Sequence, residues 1–198
     1  MPGILQPGED HVKSLAALVL LIFLFACGST AKAQEIPALE LYGGYDFVRF
    51  DINSNVEGQP PSQTYNGNGG GGQVVYNVDR WLGILADVGG YWATNSYAAG
   101  AAVPYLFGPR VNFRLGKVTP FTQALVGGVA TSSGIVTAGW QNHFATTAGA
   151  GLDVRISRHI SIRPVQAEYL MTRIPDGLNN RQDNFRFSTG ISLLLGAR

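Results

Sequence analysis

The 198-residue chain has one cysteine, three histidines and little charge, and each shortage closes off a class of function. A single thiol, Cys27, allows no intrachain disulfide. Scattered histidines (His11, His143 and His159) and that one cysteine cannot supply a metal-ligand cluster. Asp, Glu, Lys and Arg make up 14% of the residues, well under the ~25% of ordinary soluble domains. The formal charge is +1, so nothing electrostatic favours a nucleic-acid partner. No Gly-x-Ser-x-Gly sequence suggests a serine hydrolase. Gly69–Gly72 is a glycine run, but no Lys-Ser/Thr pair follows it, which argues against a phosphate loop. No cofactor is expected. Beyond Ala33 no apolar stretch is long enough to cross a membrane as a helix.

The one long apolar run lies near the start, at Ser14–Ala26, preceded by Lys13. Ala31-Lys32-Ala33 supplies a small-residue cleavage site, so residues 1–33 read as a signal peptide and 34–198 as the exported domain. Glu9 and Asp10 are atypical of such a segment. Leu24-Phe25-Ala26-Cys27-Gly28 resembles a lipoprotein cleavage box, so a lipidated start at Cys27 is the alternative. Either route takes the chain out of the cytoplasm.

What the chain has in quantity is glycine, 26 residues, set inside alternating runs. In Phe144–Ile156, Phe144, Thr146, Ala148, Ala150, Leu152, Val154 and Ile156 share one parity. Gly149, Gly151, Asp153 and Arg155 share the other. A period of two predicts a strand. The charges fall on the face that a soluble sandwich would bury, where they are costly. A membrane barrel reverses the faces, apolar side chains to lipid and polar ones to the lumen.

The same alternation predicts eight strands: Leu39–Phe50, Gln73–Asp79, Leu82–Trp92, Ala102–Leu115, Pro120–Ala130, Phe144–Ile156, Ile160–Leu170 and Asn184–Leu195. Pro104 and Pro109 fit the fourth imperfectly, and the parity of the fifth is open at Thr122 and Gln123. In the seventh, Gln166 and Glu168 have the wrong parity relative to Arg163, and a bulge near Pro164 would restore it. Asp51–Gly72, Ala93–Ala101, Thr131–Gln141 and Met171–Asp183 read as long loops. Asp79–Trp81, Gly116–Thr119 and Ser157–Arg158 read as short turns. This long-short rhythm matches outer-membrane barrels, whose long loops are extracellular and whose short turns are periplasmic.

By parity the interior receives Glu40, Asp46, Asp87, Asp153 and Glu168, with Arg110, Arg114, Arg155, Arg163 and Arg186. Acid and base are equal in number. Eight strands leave just enough room for side chains to fill the lumen, so a salt-bridged plug is expected ahead of an ion path.

Leu41-Tyr42-Gly43-Gly44-Tyr45, Asn77-Val78-Asp79-Arg80-Trp81-Leu82-Gly83, Ala148-Gly149-Ala150-Gly151-Leu152-Asp153 and the last strand together resemble the small OmpA/OmpX-type outer-membrane barrels. The resemblance implies an all-β fold, an eight-stranded antiparallel up-and-down transmembrane β-barrel in the outer membrane. It implies contact with outer-membrane lipids and with the outer-membrane assembly machinery during biogenesis. Ser188, Gly190, Leu193 and Leu195 are similar to the final-strand signal that machinery reads. They depart from it in lacking a terminal aromatic residue. The peptidoglycan-binding domain of full OmpA proteins is not expected, since the chain stops after strand eight. The leading reading is a non-catalytic monomer with a structural or surface-interaction role through Asp51–Gly72 and the three other long loops, its extracellular ligand unidentified.

A second reading rests on His159-Ile160-Ser161, with Glu168 later in the strand. This resembles the His/Ser pair of the PagL-type lipid A deacylases, also eight-stranded barrels. His159 however follows a periplasmic turn and has interior parity. A third reading is a soluble periplasmic barrel that binds an apolar ligand.

Overall fold

The computed structural model describes residues 36–53, 62–94, 99–133, 139–175 and 180–197. The chain divides into two units, Met1–Gln34 and Glu35–Arg198. The signal segment, its cleavage site and Cys27 lie outside the described residues.

The second unit consists of eight strands: β1 (Pro37–Asn53), β2 (Ser62–Asn77), β3 (Leu82–Thr94), β4 (Ala99–Asn112), β5 (Val118–Ser133), β6 (Trp140–Arg155), β7 (Ile160–Thr172) and β8 (Gln182–Ala197). Each is antiparallel to the next, and β8 returns to β1 to close the barrel. Closure leaves no unpaired edge, which a sheet in hydrocarbon requires. No described helix is long and apolar enough to cross a membrane; the crossing is made by strands.

The outer face is apolar. Ile84, Phe107, Val165 and Ile191 are each half or more exposed, as are Trp81 and Trp92 nearer the strand ends. The inner face holds Glu40, Asp87, Arg110, Arg163, Glu168 and Arg186, all buried. Seven buried apolar residues form one patch of that interior: Val75, Leu85, Leu106, Leu125, Val129, Ala145 and Leu170. Water could not stabilise this arrangement, but a bilayer around it does, because the apolar band then faces hydrocarbon.

One irregularity, a bulge in β7, sets the interior register of that strand. The β7–β8 ladder shifts between Arg163 and Gln166, around Pro164, a residue that has no N–H to give to the ladder. The extra residue turns Arg163, Gln166 and Glu168 all inward, where all three are buried. The same extra residue shows on the other side of β7, where Val165 and Ile162 pair with Leu152 and Val154 of β6.

The strands run further than their side-chain alternation predicts. The stretch Asp51–Gly72 was expected to be a loop; instead β1 continues to Asn53 and β2 begins at Ser62. Gly67 to Gly72 pair in register with Val48 back to Gly43. The ladder needs only backbone groups, and glycine has no side chain to show a period. The strands also reach into the other stretches expected as long loops: β3 runs to Thr94 and β4 begins at Ala99, β5 runs to Ser133 and β6 begins at Trp140, and β7 runs to Thr172 and β8 begins at Gln182. In β5 the open parity resolves with Phe121, Gln123 and Leu125 inward.

Candidate functional site

The interior side chains form two groups, one nearer each end. In the group nearer the short turns, Arg110, Arg114 and Arg163 meet Glu40 and Asp153. The Asp153 carboxylate lies between two guanidiniums. Arg163 approaches it with Nε at 2.7 Å and Nη2 at 3.1 Å, and Arg110 Nη2 bonds its Oδ2 from the other side. Both cations also lie over the Phe121 ring, Arg110 at 3.6 Å and Arg163 at 4.6 Å from its centroid. Arg163 also covers Tyr42 at 4.1 Å. Such stacking favours Arg over Lys, because a flat guanidinium keeps its in-plane donors free while its face rests on a ring. Glu40 accepts from Arg114 Nη2 at 3.0 Å and from Asn77 Nδ2 at 2.8 Å.

The second group is built on Arg186. Its Nη1 and Nη2 grip the two oxygens of Asp87 at 3.0 and 2.9 Å, a bidentate pair. Its Nε donates to Glu168 at 2.6 Å, and Nη1 also donates to Tyr91 Oη at 2.9 Å. Gln123 Nε2 donates to the other Glu168 oxygen at 2.8 Å. Asp46, buried, has its carboxylate 3.4 Å from Tyr91 Oη. Gln73 joins the two groups: it donates to Asp87 at 2.8 Å and accepts from Arg163 at 2.6 Å.

Charge equality across the interior therefore conceals a separation. Three carboxylates surround the one guanidinium of Arg186, while three guanidiniums share Glu40 and Asp153. Arg155 is half-buried at the short-turn end of β6, the end of the first, more basic group. Alternation alone could place these charges on the inner face, but it carried no information about partners. Nor did it single out Tyr42, Gln73, Tyr91 and Phe121, which share the inward parity and do much of the joining. Their shared parity with the charges was the available signal.

Small residues make room for this packing. A methyl group added at Gly151 would collide with the Phe121 ring, and one at Gly190 with Tyr42 and the backbone of β1. Glycine is required there because the rings lie flat against the wall.

The His159–Ser161 pair is not assembled. His159 is exposed in the β6–β7 turn, where its backbone N–H and that of Ile160 donate to Ser157 Oγ at 3.3 and 3.1 Å. Ser161 is buried on the inner wall, opposite Ser192 in register. A hydroxyl directed into the lumen does not meet lipid. Among the described residues no group of His, Cys, Asp or Glu could hold a metal ion.

No family model matches the chain, and no curated protein matches it in sequence. Solved structures do match in fold. Neisserial surface protein A superposes with a TM-score of 0.63 at 12% identity, covering 78% of this chain and 97% of that one. The outer membrane protein OprG from Pseudomonas aeruginosa gives 0.56 at 10% identity, covering 81% and 96%. At these identities the likeness is one of architecture, and it agrees with the apolar exterior and polar core derived above. The chain is an all-β, closed, eight-stranded antiparallel barrel, and its fold is that of the small outer-membrane barrels.

Proposed function

We propose that the protein is a non-catalytic outer-membrane barrel with a structural or surface-interaction role, exercised through the loops at its long-loop end. The observation that supports this most is the state of the interior. The groups able to do acid–base chemistry are tied to one another, Arg186 to Asp87 and Glu168, and Asp153 to Arg110 and Arg163. Carboxylate oxygens that already accept from guanidinium donors are occupied rather than offered to a substrate. What remains free to meet a partner is the rim.

The experiment compares cells that have the intact protein, none, or a form with residues 54–61 and 176–179 replaced by tight turns. A structural role predicts that both forms restore resistance to detergent and to large antibiotics. A surface role predicts that cell aggregation or adhesion is lost with the loops alone. A change in lipid A acylation on expression, abolished by Ser161→Ala, would replace this reading with the hydrolase.

A further inference from the structure

Each short turn presents the same pair of side chains, one apolar and one cationic. The β2–β3 turn has Trp81 beside Arg80, the β4–β5 turn Phe113 near Lys117, and the β6–β7 turn Ile156 near Arg158. The three apolar residues are 55%, 50% and 61% exposed, and the three cations are exposed as well. Among the described residues none of these cations is ion-paired. The acid in these turns, Asp79, is bound to its own backbone: its Oδ1 accepts from Arg80 N–H at 2.5 Å. The turns are held in place by local bonds, Val78 N–H and Asp79 N–H to Leu82 O at 2.9 and 3.0 Å, and Val118 N–H to Leu115 O at 3.2 Å.

The other end of the barrel is different. By sequence it carries Arg49, Arg173 and Arg181 against Asp51, Glu57, Asp176 and Asp183, so cations there do not outnumber acids. The unbalanced positive charge of the rims belongs to the short-turn end. That end faces the periplasm in barrels of this class, and so the inner, phospholipid leaflet.

We propose that the short-turn rim is a binding ring for anionic phospholipids of that leaflet, such as phosphatidylglycerol. The apolar member of each pair lies at the acyl boundary and the cation reaches the phosphate layer above it. A wall polymer would give the cations a partner too, but would leave Trp81, Phe113 and Ile156 without one. The proposal rests on the membrane-spanning barrel and not on the surface role of the long loops, so the two succeed or fail separately.

The test uses full-length protein in mixed vesicles of phosphatidylcholine and phosphatidylglycerol, with brominated chains on one lipid or the other. Bromine quenches tryptophan by contact. W92F/W140F leaves Trp81 as the reporter of the short-turn rim, and W81F/W92F leaves Trp140 at the opposite one. The expected result at Trp81 is a preference for phosphatidylglycerol of about fivefold or more, the scale of one well-placed cation. The preference should disappear in R80Q/K117Q/R158Q and in 1 M salt, where the screening length falls to about 3 Å. Trp140 should show no preference. Heat-modifiable gel mobility verifies that each variant is folded. Equal quenching by both lipids at Trp81, an undiminished preference in the triple variant, or the same preference at Trp140 would overturn the proposal. So would co-sedimentation with peptidoglycan sacculi that the triple variant abolishes while lipid preference is absent; the cations would then belong to the wall.

Discussion

Gly43 and Gly44 are neighbours in β1, yet a methyl group would meet opposite surroundings at the two. At Gly43 it points outward and finds nothing within 4 Å. At Gly44 it points inward and strikes the Tyr42 hydroxyl and the Thr189 carbonyl. The two faces of one strand therefore have different rules of construction. The outer face packs against fluid chains that adjust to any apolar shape, so it demands only chemical type. The inner face packs against fixed rings and paired charges, so it demands exact volume and a partner for each polar group.

Substitutions that ignore either rule should rank accordingly, and unfolding in urea from detergent or vesicles, followed by tryptophan fluorescence, can read them all. The largest loss should follow Arg186→Ala, which leaves Asp87 and Glu168 buried without their cation; a broken buried pair costs roughly 3–5 kcal/mol. Asp153→Ala should approach that figure, since it strands Arg110 and Arg163. A small effect from both would mean that water reaches the interior and that the inner face is not closed. Phe107→Arg tests the outer rule: a charge placed on the lipid face near the middle of the band should cost about 2–4 kcal/mol. If it cost nothing, that face would not be in hydrocarbon.

Gly151→Ala should cost about 1–3 kcal/mol, as overpacking does, by pushing Phe121 off the guanidiniums it supports. Gly43→Ala is the matched control, expected within about 0.5 kcal/mol of the parent. Equal effects would erase the distinction between the faces. Smallest of the charged changes, Asp183→Asn breaks the half-exposed pair with Arg181, 2.9 Å long, and should cost no more than about 1 kcal/mol. A larger loss would show that the rim shares the rigidity of the core.

Much of this barrel could be read from alternation alone, because a two-residue period records which face a side chain takes. Asp87 beside Val88, or Phe185 beside Arg186, states the inverted pattern directly. The bulge at Pro164 was legible for the same reason, as a break in parity between Arg163 and Gln166. Strand length was not, wherever glycine, Asn and Ser carry the backbone past the membrane; Ser62–Gly72 has no alternating side chains to mark its pairing. Nor were the partners of the interior charges. Arg186 and Asp87 are 99 residues apart, and their meeting depends on strand order and stagger, which no local pattern encodes. The balance of acid and base was visible in the chain, but its separation into a more acidic and a more basic half was not.

The β1–β8 ladder has a consequence for how the molecule comes to exist. It joins Leu39 to Leu195 and runs to Arg49 and Phe185, so the first strand made is completed by the last. Every other ladder links neighbours in the chain and can form locally, but this one spans almost the whole domain and must wait. Contacts of such separation are the slow ones. During that delay β1 has a row of unsatisfied amides and carbonyls, each costing several kcal/mol in hydrocarbon. A half-made barrel therefore has no stable home in the bilayer. It must close as it enters, or rest its open seam against another protein's edge until β8 arrives.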